Sequence, residues 1–156
     1  MDLIVKEFTQ SDAIEICTWK YEYPYDVYNY PLWEVVKNHK WAMAEPEKRS
    51  IEFRSVYSEN ELLGYFRLVD LKGYYMLGLG LKPEYCGKGY GSKLMKLILR
   101  YLSSKKERYC IHLEVREFNK RAIKCYEKAG FVQKDKYIKE TLMGKDTFIL
   151  MEINHS

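Results

Sequence analysis

The sequence predicts an α+β fold, a mixed and mostly antiparallel sheet flanked by helices, and three observations carry that expectation. Residues 51–81 hold three apolar runs joined by short polar or glycine-containing turns, the pattern of an antiparallel meander. From Gly89 onward the apolar period changes to that of an amphipathic helix. The chain then alternates strand, helix and a closing hairpin. A length of 156 residues predicts a single domain, 1–156, with one core. With 47% apolar and 31% charged residues, 9 Gly and 4 Pro, the composition excludes a disordered, collagen-like or low-complexity chain.

Taken in order, Leu3 to Phe8 is a partly alternating strand, followed by Ser11 and Asp12, either of which could cap a helix through Ala13, Ile14, Ile16 and Cys17. Tyr21 to Pro31 is aromatic and interrupted by two prolines, so it is expected as a loop leading into a short helix near Leu32 to Asn38. Ile51 to Tyr57, Leu62 to Val69 and Tyr74 to Leu81 are the meander strands, the first two separated by Ser58, Glu59 and Asn60. Leu94, Leu97, Ile98, Tyr101 and Leu102 fall at i, i+3, i+4, i+7 and i+8, with Lys93, Lys96 and Arg100 off the stripe. Tyr109 to Val115 is a strand, and Asn119 to Lys128 a helix that Gly130 can terminate. Phe131 to Ile138 and Thr147 to Ile153 form a hairpin around Met143 to Asp146.

No apolar stretch approaches the roughly 20 residues that cross a bilayer, and the opening segment breaks its apolar run at Lys6 and Glu7. Neither a signal peptide nor a membrane span is expected. Cys17, Cys86, Cys110 and Cys125 are scattered, with no C-x-x-C pair and no short-spaced histidine partner expected, so neither a zinc site nor a disulfide framework is suggested, no metal is expected, and a cytoplasmic location is expected. Charge is uneven. Residues 82–139 carry sixteen Lys and Arg against six Asp and Glu, while the remainder is acidic. Part of the chain is suited to an anion, although a solvated basic face would read the same way. No nucleic-acid motif accompanies the charge, and no nucleic-acid partner is expected.

The most informative segment is Leu79 to Lys93, LGLKPEYCGKGYGSK, which reads strand, glycine-rich turn, helix. Gly87, Gly89 and Gly91 leave backbone N–H groups uncovered at a helix amino terminus, where unsatisfied donors and the positive end of the helix dipole favour a phosphate. Lys88 and Lys93 add charge. Two other phosphate motifs fail by spacing. A P-loop would need Lys then Ser or Thr after Gly91, and here Ser92 precedes Lys93; a dinucleotide fingerprint would need a third Gly where Ser92 stands. The same glycines would also serve a merely tight turn.

Downstream, LEVREFNKRAIKCYEKAGF, from Leu113 to Phe131, resembles the carboxy-terminal motif of the GCN5-related N-acetyltransferase (GNAT) superfamily, N-x-x-A-x-x-x-Y-E-K-x-G-F. Asn119, Ala122, Tyr126, Glu127, Lys128, Gly130 and Phe131 match. The family's pyrophosphate motif, [RQ]-x-x-G-x-[GA], falls on Cys86 to Gly91, with Gly89 and Gly91 matching and Cys86 departing. The order of elements is also the family's, so the resemblance covers nearly the whole chain. It implies an acyl-CoA N-acyltransferase fold, with a central sheet of about seven strands and about four helices, and an acetyl-CoA-dependent transfer to a primary amine of a small molecule or protein. A non-catalytic module that senses acyl-CoA through the same fold is the alternative. The protomer is expected to act as monomer or homodimer.

On that resemblance, coenzyme A would be held by Cys86, Gly87, Lys88, Gly89, Tyr90, Gly91, Ser92 and Asn119, with Lys120 and Lys124 near the remaining phosphate. The main chain of Leu79 and Leu81 would pair with the pantetheine arm. Gly78 and Gly80 in that strand fit a close approach of another backbone, or ordinary twist relief. Acyl transfer needs a neutral amine and a protonated leaving thiol. Tyr126 is the implied acid, because a phenol's ordinary pKa lies within about two units of a thiol's; packing alone would be its other role. Glu114 is the candidate base, since LEVR-x-x-N resembles protein N-terminal alanine acetyltransferases, in which this glutamate activates the amine through water. A strand carboxylate serves equally well as an ion-pair partner. His112, in phase with Glu114, and Asp26 and Glu22 are further candidates. Trp19, Tyr21, Tyr23, Tyr25, Tyr28 and Tyr30 cluster where the family covers its acceptor, and would either meet an amine or form a small aromatic core.

Overall fold

The computed structural model describes residues 2–156. Its elements are β1 (Leu3–Glu7), α1 (Gln10–Ile16), α2 (Trp33–Asn38), α3 (Pro46–Glu52), β2 (Phe53–Ser58), β3 (Glu61–Asp70), β4 (Tyr75–Leu81), α4 (Tyr90–Ser103), β5 (Tyr109–Arg116), α5 (Lys120–Ala129), β6 (Val132–Thr141) and β7 (Gly144–His155). Among the described residues the strands are ordered β1-β2-β3-β4-β5-β7-β6 in one sheet. β1–β2, β2–β3, β5–β7 and β6–β7 are antiparallel, and β4–β5 is parallel, in register at Tyr75↔Ile111 and Met76↔His112. This is the expected mixed, mostly antiparallel α+β fold. Among the described residues no helix is long and apolar enough to cross a membrane.

The chain divides into two compact units, with β3 and β4 contributing to both: one takes the chain up to Arg67 together with Leu79–Cys86, the other Leu68–Gly78 with Gly87–Ser156. In the first unit, α1 begins two or three residues earlier than the sequence suggests. Its cap is Thr9 and not Ser11 or Asp12: Thr9 accepts from the Asp12 amide at 3.1 Å while the Asp12 carboxylate accepts from the Thr9 amide at 3.0 Å, a reciprocal pair that satisfies two orphan donors. Asp12 is buried and also accepts from Ser55 Oγ at 2.6 Å and from the Tyr57 hydroxyl, so β2 is pinned to the start of α1. The expected start of β2 at Ile51 is corrected too. Ile51 and Glu52 end α3, an unforeseen helix that opens on Pro46 at its first turn, where proline's fixed φ suits a helix and its missing N–H costs nothing. The core of this unit gathers Phe8, Ile16, Trp19, Val36, Phe53 and Tyr65.

In the second unit, α4 buries Leu94, Met95, Ile98 and Leu102, so the apolar stripe is rotated toward Met95 and leaves Leu97 and Tyr101 only half-buried. Along β5, Tyr109, Ile111, Leu113 and Val115 are buried while Cys110, His112 and Glu114 are half-buried, the alternation of a strand with two unlike faces. α5 is closed at its amino end by Asn119, whose side-chain oxygen accepts from the Ala122 amide at 3.1 Å, and at its other end by Gly130 at φ 110°. The β6–β7 hairpin is longer than expected and turns on Leu142 and Met143 alone.

Candidate active site

The glycine-rich turn enters α4 as the sequence implies. Gly87 and Gly89 adopt φ of 74° and 86°, the left-handed region in which a Cβ is strained. Gly89 is the amino-terminal cap residue of α4 and supplies no capping oxygen. The first N–H groups of this fourteen-residue helix, from Tyr90 to Ser92, have no partner within the helix; these residues are half-buried, and Gly87, Lys88 and Gly89 just before them are exposed. A Cβ placed on Gly87 would lie 3.2 Å from Arg121 Nη1. The turn is therefore flanked by a guanidinium that the sequence reading left out in favour of Lys120 and Lys124; position 121 is one residue along the same basic helix start. Gly91 and Ser92 meet α5 at Cys125, with the Cys125 sulfur 3.6 Å from a Cβ built on Gly91 and 3.8 Å from Ser92 Oγ. The chemistry of these donors, amides at a helix amino terminus plus Arg121 and Lys88, fits a diphosphate.

Tyr126 follows Cys125 on α5 and is half-buried, its ring 6.1 Å from that of Phe131. The Phe131 amide donates to the Tyr126 carbonyl at 3.0 Å, so the left-handed Gly130 turn folds Phe131 back beside the tyrosine. That is a physical reason for Gly-Phe to follow the tyrosine at this spacing. Asn119, implied as a cofactor contact, has its side-chain oxygen committed to the α5 cap.

Glu114 shares a face of β5 with Cys110 and His112. Its carboxylate accepts from the Tyr137 hydroxyl at 2.5 Å and from Lys139 Nζ at 2.7 Å. Burial acts to raise its pKa, but the bonds from Lys139 and Tyr137 outweigh it and hold the carboxyl below the usual range. The same arrangement pushes the Tyr137 phenol upward, through burial first and then the carboxylate. Both partners lie on β6, at alternate positions and more than twenty residues from Glu114. Only the strand order brings them across, which explains why the sequence reading missed them.

His112 is occupied differently. Its Nε2 lies 2.9 Å from Glu152 Oε2, and Tyr74 stacks on its ring at 4.2 Å between centroids. Cys110, His112 and Glu152 place one sulfur, one nitrogen and one carboxylate oxygen within 4.8 Å of one another. The expectation that no cysteine has a short-spaced histidine partner is thus corrected: Cys110-x-His112 is the spacing that puts two side chains on one face of a strand.

In the first unit, Leu79 and Leu81 lie on β4. The Leu81 carbonyl accepts from the Tyr21 hydroxyl at 2.6 Å, while the next amide, Lys82, donates to Leu63 of β3 at 2.8 Å. The C=O and N–H of one trans peptide point in opposite directions, so Tyr21 caps the side of β4 that faces away from β3. Cys86 Sγ lies 3.8 Å from the carbonyl oxygens of Leu81 and Lys82, turned back toward the strand end. Gly80 answers a close approach, but of a ring and not a backbone: a Cβ there would sit 2.3 Å from Tyr65 Cε1. Of the aromatic cluster, Trp19 and Tyr30 join the core around Tyr65, whose hydroxyl pairs with that of Tyr30 at 3.0 Å. Tyr23 is exposed. Glu22 and Asp26 are exposed as well.

Comparison with known proteins agrees with this arrangement. The model of the acetyltransferase (GNAT) family matches residues 12–131. An uncharacterized N-acetyltransferase, the SPbeta prophage-derived YokL of Bacillus subtilis, is 27% identical over 100 residues, covering 60% of this chain and 55% of that protein; the chain thus spans about half the length of this curated relative. The ribosomal-protein-S18-alanine N-acetyltransferase of Escherichia coli superposes with a TM-score of 0.71 at 17% identity, over 99% of this chain and 95% of the other. The spermidine/spermine N-acetyltransferase SpeG of Vibrio cholerae superposes with a TM-score of 0.71 at 19% identity, over 97% and 92%. With the family model spanning most of the chain, from α1 through both motifs, the protein belongs to the GNAT acetyltransferase family.

Proposed function

We infer that the protein transfers an acetyl group from acetyl-CoA to a primary amine by direct attack, with both substrates bound together. The observation that carries this reading is the amino terminus of α4, where Gly87 and Gly89 hold left-handed conformations, no side chain caps the helix and Arg121 stands alongside. The donors at Lys88 to Ser92 would hold the diphosphate, with Arg121, Lys120 and Lys124 as countercharge, and the main chain of Leu79 and Leu81 would hold the amide-bearing arm. Acetyl-CoA supplies the activated acyl carbon.

In this reading Tyr126 gives its proton to the sulfur as the carbon–sulfur bond breaks. Glu114, kept ionised by Lys139 and Tyr137, is an acceptor-only group: it receives an N–H of the incoming amine or of a water beside it and steadies the positive charge that forms on nitrogen. A carboxyl whose pKa lies below the usual range is a weaker sink for a proton than an unperturbed one, so the proton passes on to solvent in this reading. That same feature favours the second reading, a module that binds acyl-CoA without transfer.

The experiment is to supply acetyl-CoA with a panel of primary amines, including polyamines and peptides with free amino termini, and follow thiol release. Tyr126→Phe is expected to lower kcat by about 10²–10⁴-fold while leaving CoA affinity within about twofold. Equal turnover by that variant removes Tyr126 from the chemistry. CoA binding with no thiol release from any amine supports the non-catalytic module.

A further inference from the structure

A second cluster in the Gly87–Ser156 unit has chemistry unlike that of the acyl-transfer site. Cys110 and His112 lie two residues apart on β5 and share a face, Glu152 stands opposite His112 on β7, and Asn154 stands opposite Cys110. Two contacts orient the group. Tyr74 stacks on the His112 ring with an interplanar angle of 27°, and Asn154 Nδ2 donates to Glu152 Oε1 at 2.7 Å, which leaves Oε2 directed at the imidazole.

The donor set is one thiol sulfur, one imidazole nitrogen and one carboxylate oxygen, all within 4.8 Å of one another. A hard cation such as Mg²⁺ or Ca²⁺ takes oxygen ligands almost alone, whereas sulfur with nitrogen and oxygen suits a borderline transition metal. Tetrahedral Zn²⁺ with bonds of about 2.0–2.3 Å separates its donors by roughly 3.5 Å. The His112–Glu152 separation is already 2.9 Å, and the thiol needs a side-chain adjustment of about an ångström or so to join them. All three residues are half-buried, open enough for an ion to enter.

We propose that Cys110, His112 and Glu152 form a three-ligand site for Zn²⁺ or a similar borderline divalent metal, with water completing the tetrahedron. Metal binding displaces the Cys110 thiol proton to solvent, leaves the His112 ring with its proton on the nitrogen that does not ligate, and replaces the His112–Glu152 contact with two metal bonds. Asn154 and Tyr74 serve as the outer groups that aim the carboxylate and the ring, a role that typically changes affinity by about 10–100-fold. The ion would fasten β5, which carries Glu114, to β7, the second strand of the terminal hairpin.

The test needs no acyl donor and is therefore independent of the acetyltransferase reading. The protein, reduced and stripped with a chelator, is titrated with Co²⁺. The expected result is a sulfur-to-cobalt charge-transfer band in the near ultraviolet with visible bands of tetrahedral intensity, saturating at one equivalent and erased by Zn²⁺. Cys110→Ser should lose the charge-transfer band, His112→Ala and Glu152→Gln should each weaken binding by about tenfold or more, and Cys125→Ser should keep the full spectrum. Zn²⁺ should raise the Tm of the wild-type protein and not that of Glu152→Gln, a near-isosteric change that keeps the local shape. Absence of the band in the wild-type protein, its persistence in Cys110→Ser, or its loss in Cys125→Ser would overturn the proposal and leave an ordinary histidine–carboxylate pair beside a thiol.

Discussion

Replacing Gly89 by alanine separates backbone strain from every other effect. A Cβ on Gly89 meets nothing within 4 Å, so no clash contributes, and the whole cost comes from holding a residue with a side chain at φ 86°. That conformation costs an L-residue about 1–2 kcal/mol, offset by about 0.4–1 kcal/mol from the narrower unfolded ensemble of alanine. The net loss is roughly 0.5–1 kcal/mol, which for a chain of this length lowers Tm by about 1–4 °C. Relief of the strain moves the amides that begin α4. If those amides grip a diphosphate, losing one charge-assisted hydrogen bond costs about 1.5–3 kcal/mol, or about 10–100-fold in CoA affinity. Asparagine tolerates the left-handed region, so Gly89→Asn should recover most of both losses. Thermal melts and isothermal titration with CoA give the two readouts. A Gly89→Ala protein that melts lower yet binds CoA as tightly as the wild type would refute the phosphate role of this turn, and one unchanged in both would refute the strain argument as well.

Two further outcomes follow from the same geometry. Gly80→Ala should destabilise by about 1–3 kcal/mol through overpacking, because the buried Tyr65 ring it meets at 2.3 Å is itself held by Tyr30; a Tm within error of the wild type would show that the ring has room to yield. Glu114 has a folded pKa below its unfolded value, so its contribution is full above about pH 4.3 and is lost as pH falls through the depressed folded value. Lys139→Ala removes one cause of that depression and should flatten the loss of Tm between about pH 5 and pH 3. An acid limb as steep as the wild type's would mean that Lys139 does not stabilise the carboxylate.

What the sequence makes legible here is local. The α4 stripe, the Asn119 and Gly130 boundaries of α5 and the meander are written in residues close together, where helical period, capping chemistry and turn length act directly. The missed features depend on partners far along the chain. Asp12 reads as a cap until Ser55 and Tyr57 claim its carboxylate. Glu114 reads as a free base until β6 delivers Tyr137 and Lys139, and Glu152 reaches His112 only because β7 lies beside β5. Helix α3 escaped for another reason: its seven residues are too few to show a period, and Pro46 was its one strong signal.

The tyrosine bond on β4 has a consequence for what that strand can recruit. An uncovered strand edge is an open invitation to any extended peptide, including another molecule of the same protein. β4 is an inner strand whose register with β5 is held at Tyr75 and Met76, and farther along it the Tyr21 hydroxyl occupies the Leu81 carbonyl, so the chain answers that invitation itself. An incoming amide must evict a phenol, trading one hydrogen bond for another and gaining little from the swap. Selectivity at this edge then falls to whatever else the visitor brings, which favours a ligand anchored elsewhere by its charge over a stray polypeptide with backbone alone to offer.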